Sequence, residues 1–146
     1  LAFIYVRRKP ELAYDRTGLW LGLIAAFLPL PLMPRVLPIP LMLIGLSGYG
    51  LIFWSLLALG SRFGIAPADR GLVTGGPYRL VRHPMYLGEL LFRGALLLGT
   101  SLIEGYAALA VLLMIQILRI AREERVINGY PVYASQVRWR LIPFLY

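Results

Sequence analysis

The stretch VLPIPLMLIGLSGYGLIFWSLLALG, residues 36–60, decides the fold, because it contains no charged residue over a length sufficient to cross a bilayer. A hydrocarbon core of about 30 Å takes roughly 20 helical residues at about 1.5 Å each. Toward the N-terminus, Gly18 to Pro34 is also free of charge. Pro29, Pro31, Pro34, Pro38 and Pro40 cannot lie in one continuous helix, so they mark a turn between two spans. Toward the C-terminus a third apolar segment runs from Pro84 to about Ile103, interrupted by Glu89 and Arg93, and a fourth begins near Gly105. Leu1 to Val6 is apolar and followed at once by Arg7, Arg8 and Lys9, which reads as the end of a further, truncated helix; a signal peptide would place the charges first.

Composition agrees with this placement. The 146 residues are 59% hydrophobic and 15% charged, against about 45–50% and about 25% in soluble domains. Fifteen Lys and Arg against seven Asp and Glu give a net charge of +8, but the basic residues sit between apolar runs, as in loops flanking membrane helices. Arg7, Arg8, Lys9 and Arg16 precede the first full span, and Arg62, Arg70, Arg79 and Arg82 separate the second from the third. Arg119, Arg122, Arg125, Arg138 and Arg140 end the fourth, whereas the alternate turns carry only Arg35 or no basic residue. The positive-inside rule then puts all three basic groups in the cytoplasm. The expectation is an all-α, polytopic integral membrane bundle of four full transmembrane helices plus the truncated one, in a single domain covering residues 1–146, with a cytoplasmic pocket. The absence of cysteine excludes disulfide and thiolate chemistry, and His83 as lone histidine excludes a multi-His metal site. Neither a metal nor nucleic acid is expected as a partner.

Depth in the membrane singles out four polar residues. Gly105 to Leu118 is a short uncharged run, so Arg119 falls inside the cytoplasmic boundary of the bilayer, with Gln116 deeper. Glu89 and Arg93 lie about 8 and 14 Å along the third segment from Pro84. A charge at such depth costs roughly 2.5–3.5 kcal/mol on insertion scales and faces a cavity or a partner. Glu89 can pair with Arg93 on its own helix, and Arg119 with Glu123, by i, i+4 spacing. Gln116, Arg119 and Glu123 share one helix face.

The loop from Arg70 to Gly88 reads RGLVTGGPYRLVRHPMYLG. Gly75 and Gly76 permit a tight turn and close approach of a ligand to the backbone. Pro84 suits the first position of a helix, whose free N–H groups can meet a polar or anionic ligand. Tyr78 and Tyr86 offer aromatic faces for stacking or for a sulfonium. The alternative is a solvated basic loop anchored by interfacial tyrosines.

Arg82-His83-Pro84-Met85-Tyr86-Leu87-Gly88, preceded by Gly76-Pro77-Tyr78-Arg79 and followed by Glu123-Glu124, resembles the RHPxYxG…EE signature of the isoprenylcysteine carboxyl methyltransferase family of integral membrane methyltransferases. Tyr130, Tyr133, Val137 and Leu141-Ile142-Pro143 are similar to that family's C-terminal end, so the resemblance covers about Arg70 to Pro143. It implies a helical membrane enzyme that binds S-adenosylmethionine at the cytoplasmic face and methylates a lipophilic small-molecule or lipidated substrate reaching it from the bilayer. By motif position it places the cofactor contacts on Arg70, Gly71, Leu72, Val73, Tyr78, His83, Pro84, Met85, Tyr86 and Glu123, within a cofactor half at about 70–143. Its substrate-binding arginine falls on Arg119. Only Arg125 to Gly129 separate the paired glutamates from Tyr130, a shorter stretch than the family's, which implies a shorter lid.

Methyl transfer to a carboxylate is an in-line displacement that needs alignment and water exclusion but no general base, since the carboxylate is ionised at neutral pH. In this reading Arg119 holds the acceptor head group, Glu123 binds a polar part of the cofactor, and Tyr78 with His83 to Tyr86 encloses it. Three rivals stand beside it. A phospholipid or other amine N-methyltransferase needs a base, for which Glu89 is the candidate. Gly88-Glu89 also resembles the related sterol and steroid reductases, which use NADPH. A membrane scaffold without enzymatic activity would bind neither cofactor.

Overall fold

The computed structural model describes residues 16–27, 36–63, 71–100 and 103–145. Among them the regular structure is helical, with no strand: α1 (Arg16–Phe27), α2 (Ile39–Leu59), α3 (Pro84–Leu98), α4 (Ile103–Val126) and α5 (Tyr130–Gln136). Single 3-10 turns at Gly60–Arg62 and Gly76–Arg79 flank the connection from α2 to α3. The expected truncated helix at Leu1 to Val6, the prolines at 29, 31 and 34, and Arg70 lie outside the described residues.

Proline and glycine set the helix limits as their chemistry requires. Pro38 precedes α2 and Pro40 sits in its first turn, where a missing N–H removes no helical hydrogen bond. Gly60, at φ +52°, ends α2. Pro84 opens α3 directly after His83, and Gly99 closes it. The third segment therefore stops at Leu98, short of the predicted Ile103, because the chain turns at Gly99 and Thr100, whose hydroxyl donates to the Leu97 carbonyl at 2.8 Å.

Among the described residues two stretches, Ile39–Arg62 and Ile103–Val126, are long and apolar enough to cross a membrane, each with 24 residues. The 15 residues of α3 reach about 22 Å, less than a full crossing. Met42, Leu43, Leu46, Phe53 and Leu57 of α2, with Leu113, Met114 and Ile117 of α4, are exposed. Such a continuous apolar surface would be a liability in water and is the expected face toward lipid.

The bundle is tightest between α2 and α3. A methyl group added at Gly48 would lie 2.6 Å from the Phe92 nitrogen and 2.7 Å from the Gly88 oxygen, and one added at Gly88 would lie 2.7 Å from the Gly48 oxygen. The two backbones are thus in direct contact, which only glycine allows. Behind them α1, α3 and α4 share a core of Ala25, Leu97, Ala108, Leu112 and Ile115. Arg93 of α3 donates to the Ala25 carbonyl of α1 and so ties the two helices together.

Candidate functional site

At the end of the bundle where α2 and α4 finish and α3 begins, the loop before α3 and the helix α5 enclose a cavity. Gly71, Leu72, Val73, Tyr78, His83, Met85, Tyr86, Arg119 and Glu123 line it, together with Leu59, Arg62, Phe63, Arg82, Ile127, Tyr130 and Tyr133. Its empty space, with the open mouth included, is about 780 Å³. Most residues predicted for the site thus meet around one space. Pro84 does not line it; buried at the start of α3, it sets the helix direction.

The loop holds its shape through the C-terminal segment. The backbone N–H groups of Arg82 and His83 donate to the carbonyls of Trp139 and Arg140, at 2.8 and 2.9 Å. The Arg82 guanidinium donates to the Val137 and Arg138 carbonyls, at 2.7 and 2.9 Å. Tyr133 donates its hydroxyl to the Tyr78 carbonyl at 2.6 Å, so α5 roofs the cavity and the loop hangs from it. Tyr78, Tyr130, Tyr133 and Val137 form the buried cluster behind this contact. The short connection between the glutamates and Tyr130 therefore still delivers a lid, one turned by Gly129 at φ +78°.

Glu123 and Glu124 act on opposite sides of the histidine. Glu123 lines the cavity, with an oxygen 3.7 Å from His83 Nδ1. Glu124 gathers Tyr130 Oη at 2.8 Å, Arg140 Nε at 3.2 Å, His83 Nε2 at 3.3 Å and Arg82 at 3.7 Å. Since Tyr130 donates to Glu124, the His83 Nε2 that faces both oxygens carries a proton. The ring is stacked between Tyr86 and Tyr130, with centroids at 5.6 and 6.1 Å. Burial, then the nearby Glu123 charge, pushes the Tyr78 phenol up; burial and the bond to Glu124 do the same to Tyr130. Both remain neutral donors at physiological pH.

The four polar residues singled out by depth converge inside the bundle, in a different pairing. Arg119 meets Glu89, not Glu123, at 3.2 Å, and also meets the Gln116 carbonyl oxygen at 3.2 Å. Gln116 donates its amide to the same Glu89 oxygen at 2.5 Å, and Arg93 stands 4.0 Å from the other. The pairing of Glu89 with Arg93 is the weaker contact, because Arg93 turns toward α1. Glu89 is not among the residues that line the cavity; its carboxylate contacts Arg119 and Gln116. The Arg119 guanidinium lies 4.5 Å from the centroid of Tyr86, which places a cation against the ring expected to be free for a ligand. Arg119 is 3% exposed, and its buried Nε has no hydrogen-bond partner among the described residues.

Sequence reasoning missed Arg62, Arg82, Tyr130 and Tyr133 as cavity residues. For the tyrosines a signal existed, since i, i+3 spacing puts both on one face of a helix.

A helical bundle with two helices long and apolar enough to cross a membrane, and a partly polar cavity at one end, is the architecture of the described residues. Residues 35–131 match the phospholipid methyltransferase family, and the chain belongs to that family of membrane methyltransferases. The resemblance drawn from the RHPxYxG…EE residues points to the same group. No curated protein matches the sequence closely.

Proposed function

We propose that the protein transfers a methyl group from S-adenosylmethionine to an anionic nucleophile, a carboxylate foremost, on a lipophilic acceptor supplied by the bilayer. The observation that carries this reading is Arg119, a buried cation on the cavity wall whose Nε lacks a partner among the described residues. A buried donor left unpaired costs about 1–3 kcal/mol, which an anionic ligand would recover. An ammonium head group would instead meet a like charge.

The residues present suit the methyl donor. Leu72, Val73, Met85 and Tyr78 offer apolar and aromatic surface, and Glu123 offers a carboxylate for a hydroxyl or ammonium. When bound, the cofactor supplies an electrophilic methyl group on a sulfonium. Tyr133 and Tyr130 hold the lid that excludes water, and Arg119, oriented by Glu89 and Gln116, holds the acceptor carboxylate in line. That carboxylate is ionised at neutral pH and requires no base. Glu89 is committed to Arg119 and Gln116, which weakens the amine-methylating alternative. Its remaining support is the family's description and Glu123, the carboxylate that does face the cavity.

The cavity opens at the end carrying Arg62, Arg79, Arg82, Arg122 and Arg125, so the positive-inside rule favours a cytoplasmic site in a multi-pass protein. The test is binding of S-adenosylhomocysteine and NADPH side by side to the detergent-purified protein, with Glu123→Ala as control. Selective S-adenosylhomocysteine binding that the substitution removes is expected; selective NADPH binding overturns the proposal. A panel of lipophilic carboxylates and phospholipid amines then separates the acceptors.

A further inference from the structure

Three arginines reach the cavity wall, and two of them are already engaged. Arg82 is held by the Val137 and Arg138 carbonyls and stands beside Glu124. Arg119 is paired with Glu89 and Gln116. Arg62, in the turn that ends α2, makes a single hydrogen bond among the described residues, from one terminal nitrogen to the Leu72 carbonyl at 3.3 Å. Among the described residues no carboxylate lies within ion-pair distance of it. A guanidinium carries five donors, so most of its capacity is unused.

Its position is set by the loop. A methyl group built on Gly71 would lie 3.6 Å from Arg62 Nε, and Gly71 has φ +84°, where a side chain is strained. The guanidinium therefore lies along the Gly71–Leu72 backbone, on a different wall from Arg119, whose partners are all on α3 and α4. Among the described residues Glu123 is the acid that lines the cavity; it stands 3.7 Å from His83 Nδ1 and also accepts from the Tyr86 hydroxyl, which leaves it further lone pairs for a ligand.

We propose that Arg62 binds the carboxylate of the cofactor's amino-acid portion, with Glu123 taking a positively charged or hydroxyl group of the same molecule. This rests on the methyl-donor reading above. The donor carries one permanent anion, and Arg62 is the cation with the fewest internal claims on it. Arg119 is thereby left for the acceptor, so each of the two anions has its own arginine.

The experiment compares binding of S-adenosylhomocysteine and of its decarboxylated analogue, which keeps the nucleoside, the sulfur and the amine. Arg62→Gln removes the charge while its amide can still donate to the Leu72 carbonyl; Arg62→Lys keeps the charge. The expected result is that Arg62→Gln weakens S-adenosylhomocysteine on the order of tenfold or more, weakens the analogue less than about threefold, and that Arg62→Lys falls between. Equal loss for both ligands, or no loss for either, overturns the assignment. Failure of the unsubstituted protein to bind either nucleoside overturns the methyl-donor reading itself, and is seen before any substitution is made.

Discussion

Arg119 of α4 and Glu89 of α3 meet at 3.2 Å inside the bundle although 30 residues separate them in the chain. The pair fixes one edge of the guanidinium and leaves Nε unpaired, so an arginine that looks like a structural cation still has a donor to offer. Arg119→Lys keeps a charge for Glu89 but deletes that donor. It is expected to raise the acceptor KM about tenfold while S-adenosylhomocysteine affinity stays within about threefold. If both affinities fall together in a folded protein, Arg119 is not the acceptor site.

Breaking the pair from the other side strands a buried charge. Glu89→Ala is expected to lower stability in detergent by roughly 3–5 kcal/mol, and Glu89→Leu combined with Arg119→Met to recover part of that loss. Thermal unfolding of the singles and the double measures it. Simple additivity would show that the two side chains are not coupled.

The contact of α2 with α3 gives a sharp contrast between neighbouring glycines. Gly48→Ala places a methyl group against backbone atoms of Phe92 and Gly88, while Gly50 has nothing within 4 Å of its added methyl. The first substitution is expected to destabilise the protein by roughly 1–3 kcal/mol. The second should be neutral or stabilise the helix by up to about 1 kcal/mol. Similar unfolding temperatures for both variants would refute the close packing.

Tyr133→Phe removes the hydroxyl that holds the Tyr78 carbonyl and is expected to cost about 1–3 kcal/mol. It should also alter the alkaline limb of the stability profile. Burial pushes the Tyr133 phenol up to about 12, from the usual value of about 10. A raised pKa gives a contribution that is whole below about pH 10 and is lost as pH rises through about 12. The Phe variant should show a flatter decline across that window, and identical slopes would remove Tyr133 from the account.

The helical character and the cavity wall were legible because uncharged runs of span length and a dense motif leave few alternatives. Gly71, Leu72, Val73, His83, Met85 and Tyr86 are close in sequence, and the loop can bring them together locally. Arg62 was not legible as a cavity residue, because its position depends on α2 ending at Gly60 so that the next turn faces the loop. Nor was the partner of Arg119, since i, i+4 spacing offers Glu123 as readily as tertiary packing offers Glu89. Depth was the better guide there: residues at one level of a bilayer meet across helices. The length of α3 went astray for a local reason, the turn at Gly99 and Thr100, which an apolar pattern does not reveal.

The carbonyls of residues 137–140 that secure Arg82 and His83 also impose an order on biogenesis. Residues 82–88 are synthesised well before residues 137–140, which come after α1 to α5 in the chain. Throughout that interval the histidine and arginine lack the carbonyls that fix them. A nascent chain halted before Val137 would thus carry α1 to α5 with the loop at residues 82–83 still unsecured.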